Sequence, residues 1–189
     1  MIKICVTGSI SSGKSSTVRL FSNNRYPIFD ADREVKKIYR EKSFLFKARK
    51  FLPNLDIKSS FKSQIKQKIL GKTDNLKQLE KIIHPLVRKK MKLFTKKHKN
   101  KKRLIFEIPL LIESKLMRYF DVIILVTCQR KKRLKRYLNN GGSRKLFNFL
   151  NQRQLSERKK RKFCQHVIKN DKSYDVLKKN VLNIIKNYE

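Results

Sequence analysis

Gly8-Ser9-Ile10-Ser11-Ser12-Gly13-Lys14-Ser15 follows almost directly on the apolar run at residues 2–6. Two glycines separated by four residues and followed by Lys and Ser have the spacing of a loop that cradles phosphates. Gly8 and Gly13 admit the turns that aim successive N–H groups at phosphate oxygens. A helix starting at Lys14 adds its positive end. In this pattern Lys14 brings a cation to the β- and γ-phosphates, its side chain expected in the open and in contact with ligand only. The Ser15 hydroxyl ligates Mg²⁺, and Ser11, Ser12 and Ser16 complete the ATP-binding set. The flanks agree with the motif. Residues 2–6 are β-branched apart from Lys3 and Cys5 and read as a buried strand, while residues 14–23 carry Val18, Leu20 and Phe21 at helical spacing. Strand, phosphate loop and helix in that order constrain the chain to an α/β fold of the P-loop NTPase type, a parallel sheet flanked by helices.

The remaining periodicities fit that frame. Pro27-Ile28-Phe29 reads as a second short strand ending in Asp30-Ala31-Asp32, with a helix from there to about Tyr39. Residues 43–100 hold no convincing strand. Ile65, Ile69, Leu76, Leu79, Ile82 and Ile83 predict two or three helices, read as a helical substrate lobe inserted into a core of residues 1–42 and 101–189. Strand signals return at Leu104-Ile105-Phe106, at the apolar run 122–126 and at His166-Val167-Ile168. Between and after them, residues 129–138, 144–162 and 173–187 read as helices. Alternating strands and helices predict a parallel sheet covered on both faces. The chain has five glycines, and Gly141-Gly142 is the only adjacent pair. It marks the hinge of a lid over about 137–155.

Charge and cysteines narrow the setting. Lys and Arg number 50 against 14 Asp and Glu, for a net charge of +36. The basic residues are spread along almost the whole chain instead of forming one patch. This reads as a compositional bias whose field favours small anions such as nucleotides, with no specific nucleic-acid partner. Protein partners are not legible. Three scattered cysteines exclude a disulfide scaffold and argue against structural zinc. Residues 1–7 are too short for an export signal, and no apolar run is long enough to span a membrane, so the expected compartment is a reduced cytoplasm. The sequence contains no Asn-Lys-x-Asp guanine motif, which disfavours a GTPase, and the chain is short for a motor. A small-molecule kinase remains, with another nucleoside or nucleotide kinase and a basic nucleic-acid-binding ATPase as alternatives.

Four further motifs give the chain a family likeness. Thr7-Gly8 opens the loop, and Asp30-Ala31-Asp32 closes the next strand. His84-Pro85-Leu86-Val87-Arg88 lies in the helical lobe. Glu107-Ile108-Pro109-Leu110-Leu111-Ile112-Glu113 ends the third strand, and Val167-Ile168-Lys169-Asn170 forms the last. In this order and spacing they resemble the dephospho-coenzyme A kinase family along nearly the whole chain. The resemblance implies transfer of the ATP γ-phosphate to the ribose 3′-hydroxyl of dephospho-CoA, the last step of coenzyme A biosynthesis. The chain departs from the family pattern in four places. Ser9 and Ser11 stand where glycine is usual, Glu107 replaces Asp, Asn140 takes the position of a lid arginine, and Cys164-Gln165 replaces Ala-Asp.

Residue roles follow from chemistry and resemblance together. Asp32 is the expected base for the attacking hydroxyl. Asp30 caps the next helix or orders the waters of the metal. Glu107 sits where a strand-end carboxylate meets Mg²⁺ through water or the substrate ribose; a helix-start acid before Pro109 is the equal alternative. His84 and Arg88, four apart on one helical face, are assigned to the adenosine or diphosphate of dephospho-CoA; the alternative for His84 is a structural helix-start residue before Pro85. Thr7 is placed on the substrate side by resemblance, and Asn170 is expected to frame adenine. A cation must still come from the lid. Arg136 and Arg144 flank the glycine pair, and Arg144 is preferred because it travels with the closing side.

Overall fold

A computed structural model describes the backbone of residues 1–51 and 73–188. Ile65, Ile69 and Gly71 lie outside the described residues. The chain divides into two compact units, Met1–Asp30 with His98–Glu189, and Ala31–Lys97.

The first unit is built on five strands: β1 (Ile2–Gly8), β2 (Ile28–Asp30), β3 (Arg103–Glu107), β4 (Val122–Thr127) and β5 (His166–Lys169). Their order is β2-β3-β1-β4-β5, and every pair is parallel. β1 is the middle strand, and both β3 and β4 are buried almost from end to end. Unbroken apolar runs are what a sheet covered on both faces requires. Against one face pack α1 (Lys14–Ser22) and α8 (Tyr174–Ile185). Val18 and Phe21 of α1 and Leu177 and Val181 of α8 form one core with Ile4, Val6, Ile105, Ile124, Val126 and Ile168. Burial of side chains of this size contributes about 1.5–3 kcal/mol each. The register then positions the chemistry. Val6 and Asp30 both align with Glu107, and Gly8 aligns with Val126. The carboxyl ends of the strands therefore meet at one sheet edge beside the phosphate loop, where open α/β sheets bind ligands.

Three more helices complete this unit: α5 (Arg130–Asn139), α6 (Arg144–Gln152) and α7 (Glu157–Arg161). The stretch 144–162 is thus two helices, not one. Ser156 starts the second by accepting from the Lys159 N–H at 3.3 Å. Gly141-Gly142 ends α5. Gly141 adopts φ +76°, and the Gly142 N–H donates to the Tyr137 carbonyl at 3.0 Å. A Cβ on Gly142 would lie 2.2 Å from the Tyr137 ring, so Gly142 packs closely against the helix it ends.

The second unit holds α2 (Ala31–Ile38), α3 (Lys42–Phe51) and α4 (Thr73–Lys97). Its boundary falls at Ala31, ahead of the expected residue 43, because α2 packs on α4 as α3 does. Leu79, Ile83, Val87 and Met91 make a buried i,i+4 stripe on α4, and Ile38, Phe44 and Ala48 are buried on α2 and α3. Lys90 pairs with Glu41 at 2.8 Å. Pro85 lies inside α4, which corrects the expectation that His84 starts a helix. The ring removes only one N–H, and the stripe on either side carries the helix through.

Candidate active site

The phosphate loop bridges β1 and α1, and its shape is fixed from within and from outside. Lys14 Nζ donates to the Ser9 carbonyl at 3.0 Å, and the Ser12 N–H donates to the same oxygen at 3.2 Å. The Lys14 side chain is buried. The expectation of an exposed lysine in contact with ligand alone does not hold, because the first turn of α1 folds the stem back over the loop. Ser11 takes a left-handed conformation, φ +56°, which glycine would adopt without strain.

The Ser12 carbonyl is pinned by two side chains. Asn170 Nδ2 donates to it at 2.8 Å and Arg136 Nη1 at 3.4 Å. Arg136 Nη2 in turn donates to the Asn170 carbonyl at 3.0 Å. These bonds orient the Ser12-Gly13 peptide at the start of α1. Gly13 has φ +99°, and a Cβ there would lie 2.0 Å from Asn170 Nδ2. Gly13→Ala is therefore expected to break the pin and to cost about 1–3 kcal/mol, with at least a ~10-fold loss of ADP affinity. Gly141→Ala is the comparison, since φ is +76° but nothing lies within 4 Å of its Cβ. It should cost about 1–2 kcal/mol from strain alone. Thermal melts and calorimetric ADP titrations check both.

Ser15 Oγ donates to Glu107 Oε1 at 2.8 Å. Two oxygen donors, one from the loop and one from the end of β3, thus share one point. Thr7 Oγ1 donates to the Pro109 carbonyl at 3.2 Å. Lys160 Nζ donates to that carbonyl at 3.2 Å and pairs with Glu113 Oε1 at 2.9 Å. Lys160 is fully buried, and a buried ammonium needs such partners. Ser12 Oγ and Glu113 Oε2 are the buried side-chain oxygens left without a protein hydrogen bond among the described residues. Gly8, Ser11, Ser12, Gly13, Lys14, Ser15 and Ser16 all lie on the loop or the first turn of α1. Thr7, Glu107, Arg136 and Asn170 are gathered around them. Arg144 is exposed in the first turn of α6.

Asp32, His84 and Arg88 belong to the second unit. Asp32 is exposed in the first turn of α2. Burial, with the charges of Asp32 and Glu80, pushes the Tyr39 phenol up to about 12. His84 is held below its usual pKa by burial, against the opposing pull of Glu80, and Arg88 lowers it further.

Sequence reading missed three side chains. Gln154 Oε1 accepts from the Ile10 N–H at 2.9 Å, Arg133 Nη1 donates to the Ile10 carbonyl at 3.4 Å, and Glu157 Oε1 accepts from Ser9 Oγ at 3.4 Å. Glu157 carried a signal: it is the sole acid between Asp121 and Asp171. Arg133 and Gln154 carried none, lost among like residues.

The chain is similar in sequence and in fold to known proteins. The family model of dephospho-CoA kinase matches residues 2–175. The chain is 32% identical over 187 residues to a dephospho-CoA kinase of Bartonella henselae, covering 97% of this chain and 96% of the relative. It is 33% identical over 189 residues to that of Zymomonas mobilis, covering 97% and 95%. The solved dephospho-CoA kinase from Campylobacter jejuni superposes with a TM-score of 0.72 at 22% identity, covering 98% of this chain and 96% of that one, which shows a common fold. With a family match that runs through both compact units, the chain belongs to the dephospho-CoA kinase family.

Proposed function

We propose that this chain transfers the γ-phosphate of ATP to the ribose 3′-hydroxyl of dephospho-CoA, with Mg²⁺ as the accompanying ion, in the cytoplasm. The family match over residues 2–175 carries the choice of acceptor. The phosphate loop supports ATP as donor. No helix among the described residues is long and apolar enough to cross a membrane.

The donor set at Ser15 suits the ion. Ser15 Oγ and Glu107 Oε1 are hard oxygen donors at 2.8 Å from each other, and Mg²⁺ is usually held by one or two such groups together with phosphate oxygens and water. When bound, the ion neutralises charge on the β- and γ-phosphates. The protein's own groups do the remaining work. Lys14 turns its ammonium to the same phosphates. Arg136, fixed beside Ser12, presents a second cation at the loop, and Arg144 stands on α6 as the cation that arrives with the lid. Asp30, in register with Glu107, orders water near the ion. Asn170 serves ATP by holding the Ser12-Gly13 peptide.

On the acceptor side, Asp32 orients the 3′-hydroxyl and takes its proton, and its exposure leaves it open to an incoming substrate. His84 is neutral near pH 7 and therefore suits a hydrogen bond to the adenosine, whereas Arg88 suits the diphosphate. Thr7 and Glu107 complete the substrate set. The high net charge is read as composition, with no specific nucleic-acid partner.

An acceptor panel tests the reading. Purified protein with MgATP is offered dephospho-CoA, adenosine, AMP and shikimate, and ADP release is followed. The expected result is ADP release stimulated at least ~100-fold by dephospho-CoA alone. Equal stimulation by a nucleoside or nucleotide, or by added nucleic acid, would overturn it.

A further inference from the structure

We propose that Gln154 is a positioning residue for ATP, acting through the Ser9-Ile10 peptide to set the ammonium of Lys14. The inference rests on the loop as the seat of ATP and is independent of which acceptor is used.

One peptide unit carries both contacts. Its N–H, on Ile10, donates to Gln154 Oε1 at 2.9 Å. Its carbonyl, on Ser9, accepts from Lys14 Nζ at 3.0 Å. Gln154 thereby fixes the plane of the peptide whose oxygen holds the lysine, and bonds in such a chain reinforce each other. The next carbonyl, on Ile10, accepts from Arg133 Nη1 at 3.4 Å. Arg133 is itself fixed. It is buried, its Nε donates to the Cys128 carbonyl at 3.0 Å, and its Nη1 donates to Asn151 Oδ1 at 2.8 Å. The guanidinium also lies 5.7 Å from the centroid of the Phe147 ring.

This chain needs such a clamp. Ser11, the residue after Ile10, stands at φ +56°, and a left-handed serine persists only where its surroundings over-determine it. Gln154 lies in the connection between α6 and α7, which Glu113 anchors by accepting from the Leu155 N–H at 2.9 Å. The neighbouring residue of the clamp is thus tied to the loop after β3. Loop shape, lysine position and the seating of the α6–α7 connection become one linked equilibrium, so nucleotide affinity must respond to Gln154.

Gln154→Met keeps the length of the side chain and removes the amide acceptor. Calorimetric titration with ADP and Mg²⁺ should show binding weakened about fivefold to tenfold, the scale of losing one backbone hydrogen bond. Hydrogen exchange at the Ile10 amide should speed up by at least ~10-fold, with the melting temperature within a few degrees of the parent. Gln154→Glu retains an acceptor oxygen at the same reach and should restore slow exchange at Ile10. If Gln154→Met melts far lower, Gln154→Asn, polar but one methylene short, replaces it in both measurements. Parent-like ADP affinity, or unchanged exchange at Ile10, would overturn the proposal. Because ADP binding involves no acceptor, this failure is separate from a failure of the acceptor panel.

Discussion

Lys14→Met is expected to lower turnover by about 10³-fold or more while the fold persists. The ammonium is the loop's own cation for the β- and γ-phosphates, and positioned charge supplies most of the stabilisation in phosphoryl transfer. Met is chosen over Ala because the Lys14 stem is buried. Truncation to Ala would add a packing loss that Met avoids, whereas either change removes the 3.0 Å bond from Lys14 Nζ to the Ser9 carbonyl. Steady-state kinetics at saturating ATP, paired with a thermal melt, check the result. Turnover within a few-fold of the parent, in a variant that melts normally, would remove Lys14 from the machinery.

The second large effect is expected at Asp32. Asp32→Asn should reduce kcat by at least ~10²-fold, the scale of losing a general base, with ADP affinity within about threefold of the parent. Asn keeps the shape and still caps a helix, so a residue that only caps α2 would tolerate the change. A second readout is spectroscopic. The Asp32 charge is one of the causes that push the Tyr39 phenol up to about 12, so the variant should bring that titration down while burial keeps it above the usual range. A normal kcat would make Asp30 or Glu107 the next residue to test.

The strands were legible because apolar run length is a strong local signal. The runs at 2–6 and 122–126 became β1 and β4 with one or two residues added at the ends. The phosphate loop was legible because its function demands glycine, and glycine is scarce here. What the sequence could not give was contact between residues far apart in the chain. Gln154 reaches Ile10 across 144 positions, and Asn170 reaches Ser12 across 158. No periodicity encodes such pairings. The long basic stretch 144–162 hid a helix break, since Ser156 is a cap that a run of Lys and Arg on one side and Gln on the other makes easy to overlook. Pro85 misled in the opposite direction. Proline signals a boundary, but the Leu79, Ile83, Val87 and Met91 stripe buries enough surface to hold α4 together through it. The buried position of Lys14 was likewise out of reach, because it follows from how α1 leaves the loop.

The most direct test of phosphoryl transfer to dephospho-CoA is the identity of the product. Protein, MgATP and dephospho-CoA are incubated, and the mixture is resolved by mass spectrometry with phosphorus NMR to locate the new ester. The predicted result is one phosphoryl group gained per ADP formed, on the ribose 3′-oxygen. ADP formed with free phosphate and unchanged dephospho-CoA, or a phosphoryl group at any other position, would contradict it.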